Sequence, residues 1–342
     1  MLNNVHLDIV NGCNTNCMMC GIYGKDHKCT FVSPEQVKRA EKWFSSSENV
    51  RVGCDGETTM HPHLISILEI CRSAKKMHIL SNGKLISKNS VNESILRFAD
   101  VLRISFDGGT PETFRAIRGF DGYDMITRSL ASLKQAKPEL ITGFAVTLML
   151  KNLPELKLLF ETAKNIGAEI MDYGHLVVAE WREELFSNSL YFHKELCDNV
   201  ISECAEIASG QGISFHPRYF DIHRKDEYIN PFHSSGLDLR DVNFSFATKA
   251  ECDIHKTDLW IKNNGSVMIC ARRAIGNIYD GSADYESIEE KRQKAIDEIE
   301  SGKEAFCKDC TNCYIRGPRD ISSHFTQNIY SRHFDEIAEA SG

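Results

Sequence analysis

The chain lacks any apolar stretch long enough to cross a bilayer. Its most apolar segments, such as Phe144 to Leu150, fall far short of the ~20 residues a spanning helix needs. Met1 to Val10 has no basic stretch followed by an apolar one, which excludes a secretory signal peptide at this end. Proline is scarce, with 8 in 342 residues, no low-complexity tract is present, and 42% of residues are hydrophobic. That composition excludes a disordered or fibrous chain. An excess of positive charge is lacking as well: 40 Lys and Arg stand against 48 Asp and Glu, a net charge of −8. This removes the general electrostatic reason to expect nucleic acid or an anionic membrane as partner. The expectation is a cytoplasmic globular protein, either one large α/β domain or a medium domain with a small appendage.

What the chain has in excess is cysteine. Thirteen are present, an odd number, with no export signal, so metal or redox chemistry explains them better than a disulfide frame. Cys13, Cys17 and Cys20 form a C-x3-C-x2-C cluster near the start, and Cys252, Cys270, Cys307, Cys310 and Cys313 crowd the last quarter. Cys29, Cys54, Cys71, Cys197 and Cys204 lie singly between them. Cys71, Cys197 and Cys204 fall in amphipathic helical patterns and read as small buried hydrophobes.

Hydrophobic periodicity organises the rest. Val5, Leu7 and Ile9 alternate as a strand and stop at Asn11-Gly12, where the first cysteine cluster begins, so that cluster sits on a loop leaving a strand. Ser33-Pro34-Glu35-Gln36 supplies a cap, a proline at the first helical position and a glutamine three residues after the cap, opening a helix to about Phe44. The unit recurs: strands over 49–54, 77–81, 101–106, 141–150 and 169–178 alternate with helices over 63–74, 91–99, to about 136, and 153–166. Six strands alternating with helices imply a parallel β/α architecture with its chemistry on loops at the carboxyl ends of the strands. A helix around Tyr191 to Ala208 follows. The stretch from Gly210 to Ala250 then loses periodicity and reads as a linker or substrate-facing segment. Leu259 to Lys262 and Ser266 to Ile269 flank Asn263-Asn264-Gly265, a strong hairpin signal, and a charged helix over about 287–301 leads to the last three cysteines. The expected division is 1–210, 211–250 and 251–342.

Three thiolates on one loop can wrap a metal centre. Structural zinc asks for four ligands, and no fourth Cys or His lies at finger spacing. A [4Fe–4S] cluster held by three cysteines leaves one iron open. Cys13-x3-Cys17-x2-Cys20, after the first strand of six β/α units, resembles the radical S-adenosylmethionine (SAM) superfamily. The resemblance implies a partial (β/α)6 TIM-like barrel whose loop cysteines hold such a cluster. In that family the open iron chelates SAM, and reduction yields a 5′-deoxyadenosyl radical that abstracts a substrate hydrogen; the resemblance implies the same here. Met19 stands where the family usually has an aromatic residue. Gly53-Cys54-Asp55-Gly56-Glu57-Thr58 resembles the family's Gly-Gly-Glu-Pro segment, with Asp55 and Thr58 departing from it. Ser81-Asn82-Gly83, Ser105-Phe106-Asp107-Gly108 and Arg118-Gly119 resemble segments lining the SAM pocket. Asp55, Gly56, Glu57, Asn82, Ser105, Asp107 and Arg118 are thus the expected SAM-binding residues, Ser105 as a ribose contact.

Cys252 and Cys270 around the hairpin, with Cys307-x2-Cys310-x2-Cys313 after it, resemble the auxiliary-cluster appendage called SPASM, and more closely its shortened Twitch form. That implies one further [4Fe–4S] cluster on Cys252, Cys270, Cys307 and Cys310, or in the second register on Cys310 and Cys313; the leftover cysteine is a spare or a hydrogen donor. A zinc ribbon suits two cysteine pairs around a hairpin equally well. Cys54 and Cys313 are candidate hydrogen donors. Tyr173 and His175, on one face of the sixth strand by period-two alternation, are expected to point into the barrel. The segment from His216 to His233 offers Arg218, Tyr219, His223, Arg224 and Lys225 to an anionic or hydroxylated substrate.

With the first strand starting at Val5, no N-terminal peptide-recognition domain is expected, although a separate recognition protein could supply one. Together with the Twitch resemblance this favours a dehydrogenase or epimerase of a small polyol, sugar or aminoglycoside-type molecule. The alternative is a maturase that epimerises or crosslinks a short ribosomally made peptide. Outside this enzymology stands an electron-transfer or zinc-binding adaptor. Either enzyme needs an external electron donor such as flavodoxin or ferredoxin.

Overall fold

The computed structural model describes residues 2–20, 29–176, 184–185, 187–217, 254–270 and 273–301. Cys252, Cys307, Cys310 and Cys313, and all of the 216–233 segment beyond residue 217, lie outside them.

Strand β1 (Leu2–Leu7) leads into the first loop, whose base is closed by the short antiparallel pair β2 (Val10–Asn11) and β3 (Thr30–Phe31). The capping box forms as the sequence predicts: the Gln36 N–H donates to Ser33 Oγ (3.2 Å) and the Ser33 N–H to Gln36 Oε1 (2.9 Å). The helix it opens is nonetheless two short ones, α1 (Pro34–Lys38) and α2 (Glu41–Ser45). Strands β4 (Ser47–Val52), β5 (Lys76–Ser81), β6 (Val101–Ser105), β7 (Ile141–Leu148) and β8 (Ile170–His175) then alternate with α3 (Leu64–Cys71), α4 (Asn89–Phe98), α5 (Pro111–Arg118), α6 (Tyr123–Ala136) and α7 (Leu156–Ile166). Helix α8 (Lys194–Gln211) returns the chain to a two-residue strand, β9 (Ser214–Phe215).

These strands pair in parallel and in chain order, β1-β4-β5-β6-β7-β8-β9. Sequential parallel pairing with helical crossovers is the order of a TIM-like barrel. The described sheet continues past β1: after the single turn α9 (Ile254–Thr257), β10 (Asp258–Ile261) lies parallel to β1, and β11 (Ser266–Cys270) and β12 (Arg273–Asn277) follow antiparallel, before helix α10 (Tyr285–Glu300). The hairpin expected in an appendage is therefore hydrogen-bonded into the main sheet.

The two sheet faces differ in chemistry. Val5, Leu7, Val50, Val52, Met77, Ile79, Leu102, Ile104 and Phe144 follow one another in register on the helix-facing side and are all buried. The opposite, inner face carries Asn4, His6, Arg51, His78, Arg103 and Asp172, also buried. They partner one another and the adjoining strands: Arg103 pairs with Asp172 (2.8 Å), His78 Nε2 with Asn49 Oδ1 (2.9 Å), and Asn4 donates to Asp258 (3.1 Å). Ordinary TIM-type interiors are layers of branched aliphatics; here the layer beneath the strand ends is polar.

Gly119 ends α5 in the left-handed conformation (φ 75°), so the helix expected to run unbroken to residue 136 stops there. A Cβ at this glycine would lie 2.9 Å from the Asn16 carbonyl oxygen. The stop therefore lets the cysteine loop lie against the end of α5, where the Met18 N–H donates to the Ile117 carbonyl (2.9 Å).

Candidate active site

A cavity of about 440 Å³ opens at the carboxyl ends of the parallel strands. Cys13, Thr15, Cys17, Met19 and Cys20 from the first loop face Gly53 to Glu57 after β4, Ser81 and Asn82 at the end of β5, Ser105 of β6, Thr147 of β7, Leu176 after β8, and Arg118. Residues far apart in sequence and singled out by separate short motifs thus line one chamber.

The cysteine loop is held from inside and outside. Thr15 Oγ1 lies 3.2 Å from Cys13 Sγ and 3.4 Å from Cys17 Sγ, and the Cys20 N–H donates to the Cys17 carbonyl (3.1 Å). Asn82 Nδ2 reaches Cys13 Sγ (3.4 Å) and Asn14 Oδ1 (2.8 Å), so Asn82 braces this loop as well as lining the cavity. Burial pushes the Cys17 thiol pKa up, against the pull of the Arg118 charge. Among the described residues no three Cys, His, Asp or Glu side chains converge as they do on a single metal ion. A cuboidal cluster, whose irons occupy separate corners, asks instead for thiols spaced around a chamber. Cys13, Cys17 and Cys20 along one cavity wall fit that requirement.

The glycine-rich segment after β4 needs its glycines. Gly56 adopts φ 76°, and a Cβ there would lie 2.4 Å from the Val10 carbonyl oxygen and 2.6 Å from that of Gly12. The segment is thereby pressed against the start of the cysteine loop, with the Glu57 N–H donating to the Gly12 carbonyl (2.9 Å). Glu57 is buried; its Oε1 accepts from the Thr59 N–H (3.0 Å), the Thr59 hydroxyl and Ser81 Oγ (2.7 Å), and its Oε2 from the Asn82 N–H (2.6 Å). This carboxylate fastens the ends of β4 and β5 together. Asp107 sits behind the cavity wall: its carboxylate accepts from Arg118 Nη1 (3.1 Å) and the Thr147 N–H (2.5 Å). Burial works against the Arg118 charge, but Asp107 and the thiols of Cys17 and Cys13 together push its pKa up. Asp107 thus holds Arg118 ionised and in place at the cavity.

Tyr173 and His175 do share one face, their rings 5.7 Å apart, but that face is not the interior. Register aligns Ser105, Ala145 and Asp172 on the inner side, which turns residues 173 and 175 toward the helices. Tyr173 stacks on Phe215, and His175 Nε2 lies 3.8 Å from Cys197 Sγ of α8.

The structure adds residues that the sequence reading passed over. Asp8, just past β1, accepts from the Asp55 N–H (3.1 Å) and from Lys262 Nζ (3.1 Å), and Lys262 also pairs with Asp55 (2.8 Å). Burial and Asp55 push the Asp8 carboxyl pKa up. Burial opposes the Lys262 charge, yet Asp8 and Asp55 outweigh it and raise its pKa. The hairpin turn is thereby tied to the cavity rim. His6, one layer below, bonds through Nε2 to Asp258 Oδ2 (3.0 Å) and lies 4.0 Å from Cys54 Sγ through Nδ1. The alternation of Asn4, His6 and Asp8 with Val5, Leu7 and Ile9 was the signal available for a polar inner face.

The site thus joins an α/β sheet in barrel order to a tri-cysteine loop over its strand ends. Residues 7–162, a little under half of the chain, match the radical SAM superfamily model. Among curated relatives, the antilisterial bacteriocin subtilosin biosynthesis protein AlbA of Bacillus subtilis is 25% identical over 171 residues, 48% of this chain and 38% of AlbA. The matched stretch is thus well under half of that relative's length. A probable GTP 3′,8-cyclase of Sulfurisphaera tokodaii is 21% identical over 68% of this chain and 74% of its own. Among solved structures, Streptococcus suis SuiB bound to SAM shares the fold with a TM-score of 0.65 at 11% identity, over 92% of this chain and 71% of SuiB. SuiB bound to the precursor peptide SuiA matches with a TM-score of 0.63 at 12% identity, over 95% and 76%. No helix among the described residues is long and apolar enough to cross a membrane.

Proposed function

We propose that this radical SAM enzyme is a maturase that modifies a short ribosomally made peptide. The observation that carries the reading is the pairing of a complete tri-cysteine chamber at the strand ends with a sequence relative in bacteriocin biosynthesis and a fold neighbour solved with its precursor peptide. These relatives support the peptide reading better than the small-polyol expectation. The coupling of β10 to β1 also makes the hairpin part of the chamber's surroundings.

A [4Fe–4S] cluster with one open iron, when bound, supplies reductive cleavage of SAM to a 5′-deoxyadenosyl radical. Cys13, Cys17 and Cys20 are the residues that hold it. Gly56, Ser105 and Arg118 present backbone, hydroxyl and guanidinium to SAM in the chamber. Glu57 and Asn82 keep that wall closed on the loop, and Asp107 keeps Arg118 charged. Asp55 borders the chamber and is anchored by Lys262. Cys270, at the end of β11, is the described member of an auxiliary cluster that we assign to the C-terminal cysteines. The electron donor is a flavodoxin or ferredoxin.

The test is anaerobic reconstitution with iron and sulfide, followed by incubation with SAM, dithionite and short candidate peptides drawn from the open reading frames around its gene. The expected result is 5′-deoxyadenosine together with a mass or stereochemical change in the peptide, and neither with Cys17→Ala. Stimulation of 5′-deoxyadenosine by a sugar or polyol, with the peptide inert, overturns the peptide reading.

A further inference from the structure

The floor of the chamber holds a cysteine, an imidazole and a carboxylate in line. Cys54 Sγ lines the cavity and lies 4.0 Å from His6 Nδ1; His6 Nε2 is 3.0 Å from Asp258 Oδ2, and Asn4 Nδ2 reaches both Asp258 oxygens (3.1 and 3.2 Å). Trp260 lies flat on the His6 ring, centroids 4.5 Å apart and planes within 5°, which fixes its orientation. The three residues come from β1, the segment after β4, and β10, so only the assembled sheet creates the line.

We propose that Cys54, backed by the His6–Asp258 pair, is the hydrogen-atom donor to carbon radicals formed in this chamber, so that the reaction ends in a restored C–H bond rather than a crosslink. The proposal rests on the radical SAM reading above and narrows it to epimerisation.

The ionisation states suit that role. Cys54 is exposed to the chamber; the protein packed around its sulfur, then the charge of Asp8, push the thiol pKa up, so sulfur keeps its hydrogen. Burial lowers His6 to about 4 despite the Asp258 bond, and Asp258, though burial opposes it, is held ionised by that same bond. His6 is therefore neutral, with its proton on Nε2 toward Asp258, and Nδ1 presents a lone pair to the thiol. An S–H bond is weaker than an unactivated C–H bond and about as strong as a peptide Cα–H bond, so transfer from thiol to a peptide Cα radical is close to balanced and is drawn forward by reduction of the thiyl. The carbon radical gains the hydrogen atom and Cys54 becomes a thiyl. One electron from a ferredoxin- or flavodoxin-class donor reduces the thiyl to thiolate. A proton from water passes through His6 Nδ1 to restore the thiol, with Asp258 holding the transient imidazolium. Cys54 donates the hydrogen atom and His6 relays the proton that restores it; Asp258 is the positioning residue in this scheme.

The test needs no substrate. In D2O, with SAM, dithionite and no added thiol, uncoupled turnover of the reconstituted enzyme is expected to give 5′-deoxyadenosine carrying one deuterium, taken from the exchanged Cys54 thiol. In Cys54→Ala the deuterium per molecule of 5′-deoxyadenosine falls to background. In His6→Phe the first turnover is labelled and later ones are not. An infrared difference spectrum, wild type minus Cys54→Ala, supplies a readout independent of turnover: an S–H band present at pH 9 and shifted by His6→Phe. Equal labelling in wild type and Cys54→Ala, or no S–H band, overturns the proposal alone. Absence of 5′-deoxyadenosine from the wild type overturns the SAM reading and this proposal with it.

Discussion

Asp107 shows how a buried charge pair serves a site without touching its contents. Arg118 is 8% exposed at its side chain and Asp107 1%, so removing one partner leaves the other charge stranded. Asp107→Ala is expected to cost about 3–5 kcal/mol in urea unfolding and to weaken SAM binding through Arg118. His6 carries a second residue-level expectation. Its folded pKa of about 4 lies below the ordinary 6.5, so the unfolded chain takes up the proton first. The stability from neutral His6 is full above 6.5 and is lost as pH falls toward 4. Between pH 7 and pH 5 this amounts to about 2 kcal/mol, and His78, also held well below its ordinary value by burial and then by Arg51, adds in the same direction. Urea titrations at the two pH values are expected to show a smaller drop for His6→Phe than for the wild type. At this scale the sequence was legible where chemistry and spacing coincide within a short stretch, as in Cys13, Cys17 and Cys20 or Gly56 and Glu57. It was illegible where partners are brought together by strand pairing: nothing local to Asp258 announces His6, 252 residues away. Tyr173 and His175 show a different limit, since alternation gives a shared face but only register says which one.

At the scale of elements, the segment between β4 and α3 has little freedom. Gly56→Ala adds a methyl 2.4 Å from the Val10 carbonyl in a left-handed backbone, where the conformation alone costs about 1–2 kcal/mol. The expected outcome is a lowered melting temperature and loss of SAM affinity in equilibrium binding to the reconstituted protein. The major strands were readable because five of them pair apolar helix-facing residues with regular alternation. Strand β9 has two residues and β12 has a mixed burial pattern, too little periodicity for either to be seen. The split of the helix expected to reach residue 136 was encoded in Gly119, whose meaning as a stop depends on the loop packed against it.

For the whole molecule, the metal inventory is the plainest expectation. If the C-terminal cysteines hold their own cluster, reconstituted wild type carries about eight irons and Cys270→Ala about four, measured by iron assay with 5′-deoxyadenosine formation as the control for the first site. The register of β10 on β1, with Asn4 beside Asp258 and His6 beside Trp260, gives a consequence for the order in which the protein is made. On the ribosome, β1 waits for a partner made much later, across a sequence separation of 254 between Asn4 and Asp258. The cysteine loop and the strands through β8 are available long before that. Iron loading at Cys13, Cys17 and Cys20 can therefore precede completion of the sheet, whereas the chamber floor matures only after synthesis of the hairpin. Until then the β1 edge stands open, an aggregation-prone strand edge, and the early life of this chain depends on how quickly β10 covers it.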